Sequence, residues 1–400
     1  MEYIEFKDRL MDKGFEESAI QFGWEMVSGG ESAARINVIL KPGFRRRQML
    51  EARNGLDDGL SAEQVEFYYK PEFSNYQMEQ ARLGFRDDLS NEQVEVYYMS
   101  KFASRQMNEA RLGFTNGLSE EQVSFYYRYE FDAEQMAEAR DGLEKGLSTE
   151  QVSLYYKSDF TDCQMELAKD GFISGLKREQ VALYYKKEFT ECQMGEARLG
   201  FIAGLSASQV SFYYRCGFIS EKMEQARHGF DAGLSVEQVS IYYKEEFESG
   251  QMMQARHGFK SGLSLGQVEF YYKQEFNSDQ MSQARQGFIA GVSVKQMSIL
   301  YQSDFYCAQM AEAVLGFQSG LSVMQVSFYY KPEFSDCQMK QARIGFSCGL
   351  SAEQVRVYYK VTYSPTQMES MRLGIEHCTS NAATDNSDVS KVLKELDVFK

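Results

Sequence analysis

Arginine is the residue whose spacing in this sequence could do chemistry. Arg82, Arg111, Arg140, Arg198, Arg227, Arg256, Arg285, Arg343 and Arg372 lie at multiples of 29 residues; Lys169 stands in once and Val314 interrupts the series. A second series, Lys70, Arg128, Lys157, Lys186, Arg215, Lys244, Lys273, Lys331 and Lys360, keeps the same period. Cations at even intervals can track phosphates, as helical repeats that read one base each do. They can also be structural, with Arg stacked on tyrosine rings or bridging carboxylates such as Glu72, Glu130 and Glu188. Acidic residues recur as regularly as basic ones, which favours the structural role.

Other reactive groups are sparse. His228 and His257 share one phase of the repeat, but three histidines in 400 residues make a poor metal site. Cys163 and Cys192 also lie one period apart. Helices pack about 8–10 Å apart, beyond the Cα separation a disulfide spans. No P-loop, GxSxG, HExxH or dinucleotide fingerprint occurs. No catalytic residue, no metal and no cofactor are expected, and the chain is not expected to be an enzyme.

The net charge of −15 disfavours nonspecific attraction to DNA, RNA or anionic membranes. It suits solubility, a basic partner, or mimicry of a polyanion. The seven cysteines are odd in number and contain no CxxC, so reduced thiols and a cytoplasmic location are expected. The opening "MEYIEFKDRLMDKGF" is charged throughout and does not read as a signal peptide. No stretch approaches eighteen apolar residues, so no membrane span is expected.

The elements that position these residues follow from the period. Leu60, Leu89, Leu118, Leu147, Leu176, Leu205, Leu234, Leu263, Val292, Leu321 and Leu350 are spaced by 29 without insertion, and a poorer copy begins at Glu31. Twelve units therefore fill residues 31–378, and a fixed period of this size marks a stacked array. Each unit predicts two helices. Ser61 and Gln64 form a capping box for a helix A near 62–70, and Ser74 and Gln77 form one for a helix B near 75–87. Pro42, Pro71 and Pro332 fall just after helix A, and Pro365 stands in a first turn. Gly59 and its counterparts fall where helix B should end. The fold class is all-α, an α-solenoid of tandem 29-residue helix–turn–helix repeats.

The repeated residues define an interior. Val65, Phe67, Tyr68 and Tyr69 cover most of helix A, and Met78, Ala81 and Phe85 form the inner stripe of helix B. The Tyr pairs should bury their rings and find hydroxyl partners at the rim. Gly84 has a counterpart in all twelve units. A glycine inside a helix costs about 1 kcal/mol against alanine, so a close backbone approach should compensate. The position after Arg82 varies instead: Leu83, Leu112, Asp141, Asp170, Leu199, His228, His257, Gln286, Leu315, Ile344 and Leu373. Position 79 varies as freely. A continuous row of changing residues, several of them aliphatic, marks a contact surface.

The ends differ from the array. Residues 1–30 read as a capping segment that includes Trp24, residues 379–388 as a polar linker, and 389–400 as an amphipathic helix carrying Val389, Val392, Leu393, Leu396 and Phe399.

Over residues 31–378 the string "GLSxEQVxxYYKPEFSxxQMxxARLGFxxG" resembles a family of helical repeats from anaerobic gut bacteria and their conjugative or other mobile elements, which read "YADPEF…QMxxIRxGLxxGLD". The likeness lies in the Gln-Met, Arg-x-Gly and Gly-Leu spacing, with Tyr-Tyr-Lys here where that family has Tyr-Ala-Asp. It implies a helical repeat and supplies no catalytic residue. The expected function is a monomeric scaffold that binds a protein or extended peptide along the varied helix B face. The alternatives are nucleic-acid binding through the Arg and Lys ladders, or an acidic mimic that blocks a nucleic-acid-binding protein.

Overall fold

A computed structural model of the chain describes residues 2–382. The expected C-terminal helix at 389–400 and most of the linker at 379–388 lie outside them. The described residues contain 26 helices and no strand. Tyr3–Met11 and Glu17–Ser28 form an N-terminal pair, and twelve A–B pairs follow, from Ala33–Ile39 with Arg46–Asp57 to Ala352–Tyr358 with Pro365–Ala382. The α-solenoid is therefore the observed architecture. The chain divides into two compact units, Met1–Ala207 and Ser208–Lys400. Within each unit, every helix B packs against the helix B of the next repeat, and each helix A fills the space between consecutive B helices.

Helix A is shorter than expected. It spans Ala62–Tyr68 rather than reaching residue 70, because Tyr69 leaves the helical region at φ −78°, ψ 81°. Helix B, Asn75–Arg86, is close to the expected span. Both capping boxes form: Ser61 Oγ accepts from the Gln64 N–H, and Ser74 Oγ from the Gln77 N–H. Helix B ends in a left-handed residue, Gly59 at φ 89° in the first full copy, and the Leu60 N–H reaches back to the Gly55 carbonyl. Asp88 occupies the same place in the next repeat at φ 63°, the sole non-glycine among the described residues with positive φ. The last helix continues to Ala382, so the linker does not begin at 379.

The aromatic repeat residues bind the stack together. Tyr98 donates its hydroxyl to the Tyr68 carbonyl of the preceding repeat at 2.6 Å, and its ring stacks on Phe73 at a centroid distance of 3.9 Å. The same pair of contacts recurs through both units, as with Tyr272, which bonds the Tyr242 carbonyl and stacks on Phe247. The first Tyr of each pair also reaches back one repeat, to helix B: Tyr97 donates to the Gln80 carbonyl at 3.1 Å. The hydroxyls thus end in the interior on main-chain carbonyls, not at the rim. Burial also explains why these phenols are pushed far above their ordinary pKa.

The helix B glutamine does two jobs. Gln280 accepts from the Asn277 N–H with its oxygen, and its amide nitrogen donates to the Phe305 and Ser303 carbonyls of the next repeat at 2.7 and 3.3 Å. The helix A glutamine Gln267 accepts from the Ser264 N–H at 2.9 Å. Glutamate keeps the acceptor role but cannot donate. Gln280→Glu should therefore lower stability by about 2–3 kcal/mol, the cost of leaving buried carbonyls facing a carboxylate, while Gln267→Glu should change it by less than about 0.5 kcal/mol. Urea melts of the two variants check this; equal effects would refute it.

Candidate partner-binding face

The Arg ladder lies between neighbouring B helices. Arg82 Nε bonds Glu51, which stands 31 residues earlier, at 2.9 Å, and its Nη1 bonds Asp58. Arg111 reaches Gln80 and Asp87, Arg140 reaches Glu109 and Glu144, and Lys169 reaches Glu138 and Asp141. In the second unit Arg227 pairs with Asp231, Arg256 bonds Gln225, Arg285 bonds Gln254, Arg343 bonds Glu312, and Arg372 bonds Gln341 and Glu376. The ion-paired members keep only 6–16% of their side-chain surface. Their partners lie on or just after helix B of the preceding repeat, or one turn on along their own helix as with Glu144, Asp231 and Glu376, and are not Glu72, Glu130 or Glu188. Burial opposes the charge on Arg82, yet the bonds to Glu51 and Asp58 outweigh it and raise its pKa. Burial dominates for Glu51 and raises its pKa, with Arg82 pulling the other way.

The second cation series stays at the surface. Lys70, Arg128, Arg215, Lys273 and Lys331 each sit over the phenylalanine three residues earlier on helix A, at 4.7–5.9 Å from ring centroids. An exposed carboxylate follows most of them two residues on: Glu72, Glu130, Asp159, Glu188, Glu246, Glu275 and Glu333. The exposed charge therefore alternates in sign along the edge.

The varied row is where helix B meets solvent. Leu83, Leu112, Asp141, Asp170, His228, His257 and Ile344 are half-buried, and Leu199, Gln286, Leu315 and Leu373 are exposed. Met78 and Tyr68 are fully buried, as are their counterparts, apart from Leu300 at the Tyr position, which is itself buried. Ala81, one residue before Arg82, is also buried and stays alanine until the last repeat, which has Met371 there. His228 and His257 each take an Arg guanidinium on Nε2, from Arg227 and Arg256 at 3.2 Å. Burial first, then the neighbouring cations, lowers both histidine pKa values. Among the described residues no group of three or more His, Cys, Asp or Glu side chains could hold a metal. No helix there is long and apolar enough to cross a membrane.

Two more positions share the exposed stripe, a turn before residue 79 and a turn after residue 83. The first contributes Tyr76, Arg105 and Glu134; the second contributes Ile173, Ile202 and Ile289. Between the helices Ser104–Thr115 and Ala133–Glu144, Ser104, Arg105, Asn108, Ala133, Glu134 and Ala137 line an open cleft of about 350 Å³. The sequence also held a second apolar row that its period alone did not flag. The residue after the helix A cap is Ala62, Asn91, Glu120, Thr149 and Arg178 in the first unit. In the second it becomes Val236, Leu265, Val294 and Val323, with Met324 beside the last, before Ala352 in the final repeat. Val236, Leu265, Val294 and Met324 are exposed. No protein-family model, curated protein or solved structure matches this chain.

Proposed function

We propose that this protein is a non-enzymatic repeat scaffold that holds a protein or extended peptide along the exposed stripe of its B helices. One observation carries the proposal. The repeated polar groups spend their hydrogen bonds on neighbouring repeats, whereas the varied stripe offers aliphatic side chains to solvent at Leu199, Leu315 and Leu373. Fixed mortar with a changing aliphatic face is the arrangement of a contact surface. The nucleic-acid alternative is weaker, because the ladder cations other than Arg198 bond to groups within the stack and the Lys70 series alternates with carboxylates. Seven cysteines, five of them exposed, suit a reducing compartment such as the cytoplasm.

Affinity capture from the native cell tests the proposal, comparing the natural chain with one carrying Leu83→Lys, Leu112→Lys, Leu199→Lys, Leu315→Lys and Ile344→Lys. The captured protein should be lost with the lysine variant and should resist nuclease treatment. Retention by the variant would defeat the scaffold reading, and loss on nuclease treatment would transfer the role to nucleic acid. Displacement of the captured protein by added DNA would instead identify a polyanion mimic.

A further inference from the structure

One rung of the Arg ladder lacks its acceptor. In the first unit the residue 31 positions before each ladder cation is Glu51, Gln80, Glu109 or Glu138, but before Arg198 it is Leu167. The Nε of Arg198 is buried with no hydrogen-bond partner. A buried donor left unmade costs stability. The two helices concerned, Asp162–Ile173 and Glu191–Ile202, also carry three exposed aliphatic residues: Ile173 at 45%, Leu199 at 40% and Ile202 at 46%. Gly195 lies on the same stripe, and a Cβ there would meet nothing within 4 Å, so the surface beside Leu199 is open. A rule kept elsewhere in the array is broken next to uncovered apolar surface, and such breaks mark functional sites.

We infer that this spot takes an extended segment bearing a single carboxylate between aliphatic side chains. The carboxylate pairs with the Arg198 guanidinium, whose rung Leu167 leaves incomplete, and the flanking aliphatics cover Ile173, Leu199 and Ile202. Charge complementarity selects the occupant. The chain is acidic as a whole, and Glu166 and Asp170 lie on the same stripe, so one carboxylate is drawn to Arg198 while further acidic residues are repelled. The inference rests on the scaffold reading and names the chemistry of one station along it.

The test titrates the full chain, labelled in its arginine side chains and isoleucine methyl groups, with the amidated peptide acetyl-Leu-Asp-Leu and with its Asn counterpart. The Asp peptide should shift the Arg198 Nε–H and the Ile173 and Ile202 methyl signals. It should bind about tenfold more tightly than the Asn peptide, the gain expected of a charge-assisted hydrogen bond over a neutral one. Leu167→Gln completes the rung internally, so it should raise the melting temperature and weaken the Asp peptide by about tenfold. Equal affinity for the two peptides, binding unchanged by Leu167→Gln, or no shift with the Asp peptide would each overturn the site. Its failure is separable from that of the scaffold. Capture that survives Leu167→Gln but is lost when Leu83, Leu112, Leu315 and Ile344 become lysine, with Leu199 intact, removes only this station.

Discussion

Gly258→Ala should destabilise the second unit by about 2–4 kcal/mol, although alanine is the better helix former by about 1 kcal/mol. Tyr271 places its hydroxyl on the Gln254 carbonyl of the same helix at 3.0 Å. A Cβ at position 258 would overlap that oxygen and would also lie 3.3 Å from the Val268 Cγ2 atom. Displacing the ring loses a buried hydrogen bond, at about 1–3 kcal/mol, and strains a packed core by about 1–3 kcal/mol. The chain contains its own control. One repeat replaces the tyrosine by Leu300, and there a Cβ on Gly287 would meet the Met297 Sδ at 3.0 Å and Val314 Cγ2 at 3.3 Å, with no hydroxyl in the way. A thioether can swing aside, so Gly287→Ala should cost less than about 1 kcal/mol. Tyr271→Phe in the Gly258→Ala background should recover part of the loss, since the oxygen is then gone. Hydrogen exchange on the helices Ser249–Lys260 and Ser278–Ile289 reads both variants locally, which an array that does not melt as one unit requires. Equal damage at 258 and 287 would sink the argument.

That pairing shows what the sequence could and could not say. The period, both capping boxes, the prolines and the glycine turn gave the order of helices, because each is a local signal fixed by a few neighbouring residues. The glycine of helix B was legible as a close approach, but its partner was not: Tyr97 stands 13 residues after Gly84, on the next repeat. Arg82 was legible as a ladder, whereas its acceptor Glu51 lies 31 residues back, a distance set by how B helices pack. The exception at Val314 becomes intelligible only in three dimensions. With Leu300 supplying no hydroxyl, Met297 and Val314 fill the space around Gly287, and three departures from the consensus turn out to be one packing solution. The varied stripe was half legible. Residues 79 and 83 were found from their variability, but the stripe's ends at Tyr76, Ile173, Ile202 and Ile289 needed the helix phase.

Alkali should unfold the protein abruptly rather than titrate it. In the second unit nine tyrosines, the pairs at 242, 271, 329 and 358 with Tyr301, have hydroxyls whose pKa burial pushes far above the usual phenol value. The folded pKa is raised, so the folded chain holds these protons after the unfolded chain has begun to lose them. Stability is then complete below the unfolded value near pH 10 and falls as the pH rises beyond it. Each group contributes a slope of about 1.4 kcal/mol per pH unit. Nine together remove roughly 12 kcal/mol per unit, about the whole stability of an ordinary domain. Tyr76, Tyr129 and Tyr306 are exposed and stand outside this set. The nine buried tyrosines should ionise in one step that coincides with loss of helical circular dichroism, within about one pH unit above the unfolded value. Tyrosinate absorbance and circular dichroism followed on the same sample decide the matter. Full ionisation of the tyrosines while the helices persist would mean that the hydroxyls are not sealed on main-chain carbonyls, and the tyrosine mortar of the stack would have to be abandoned.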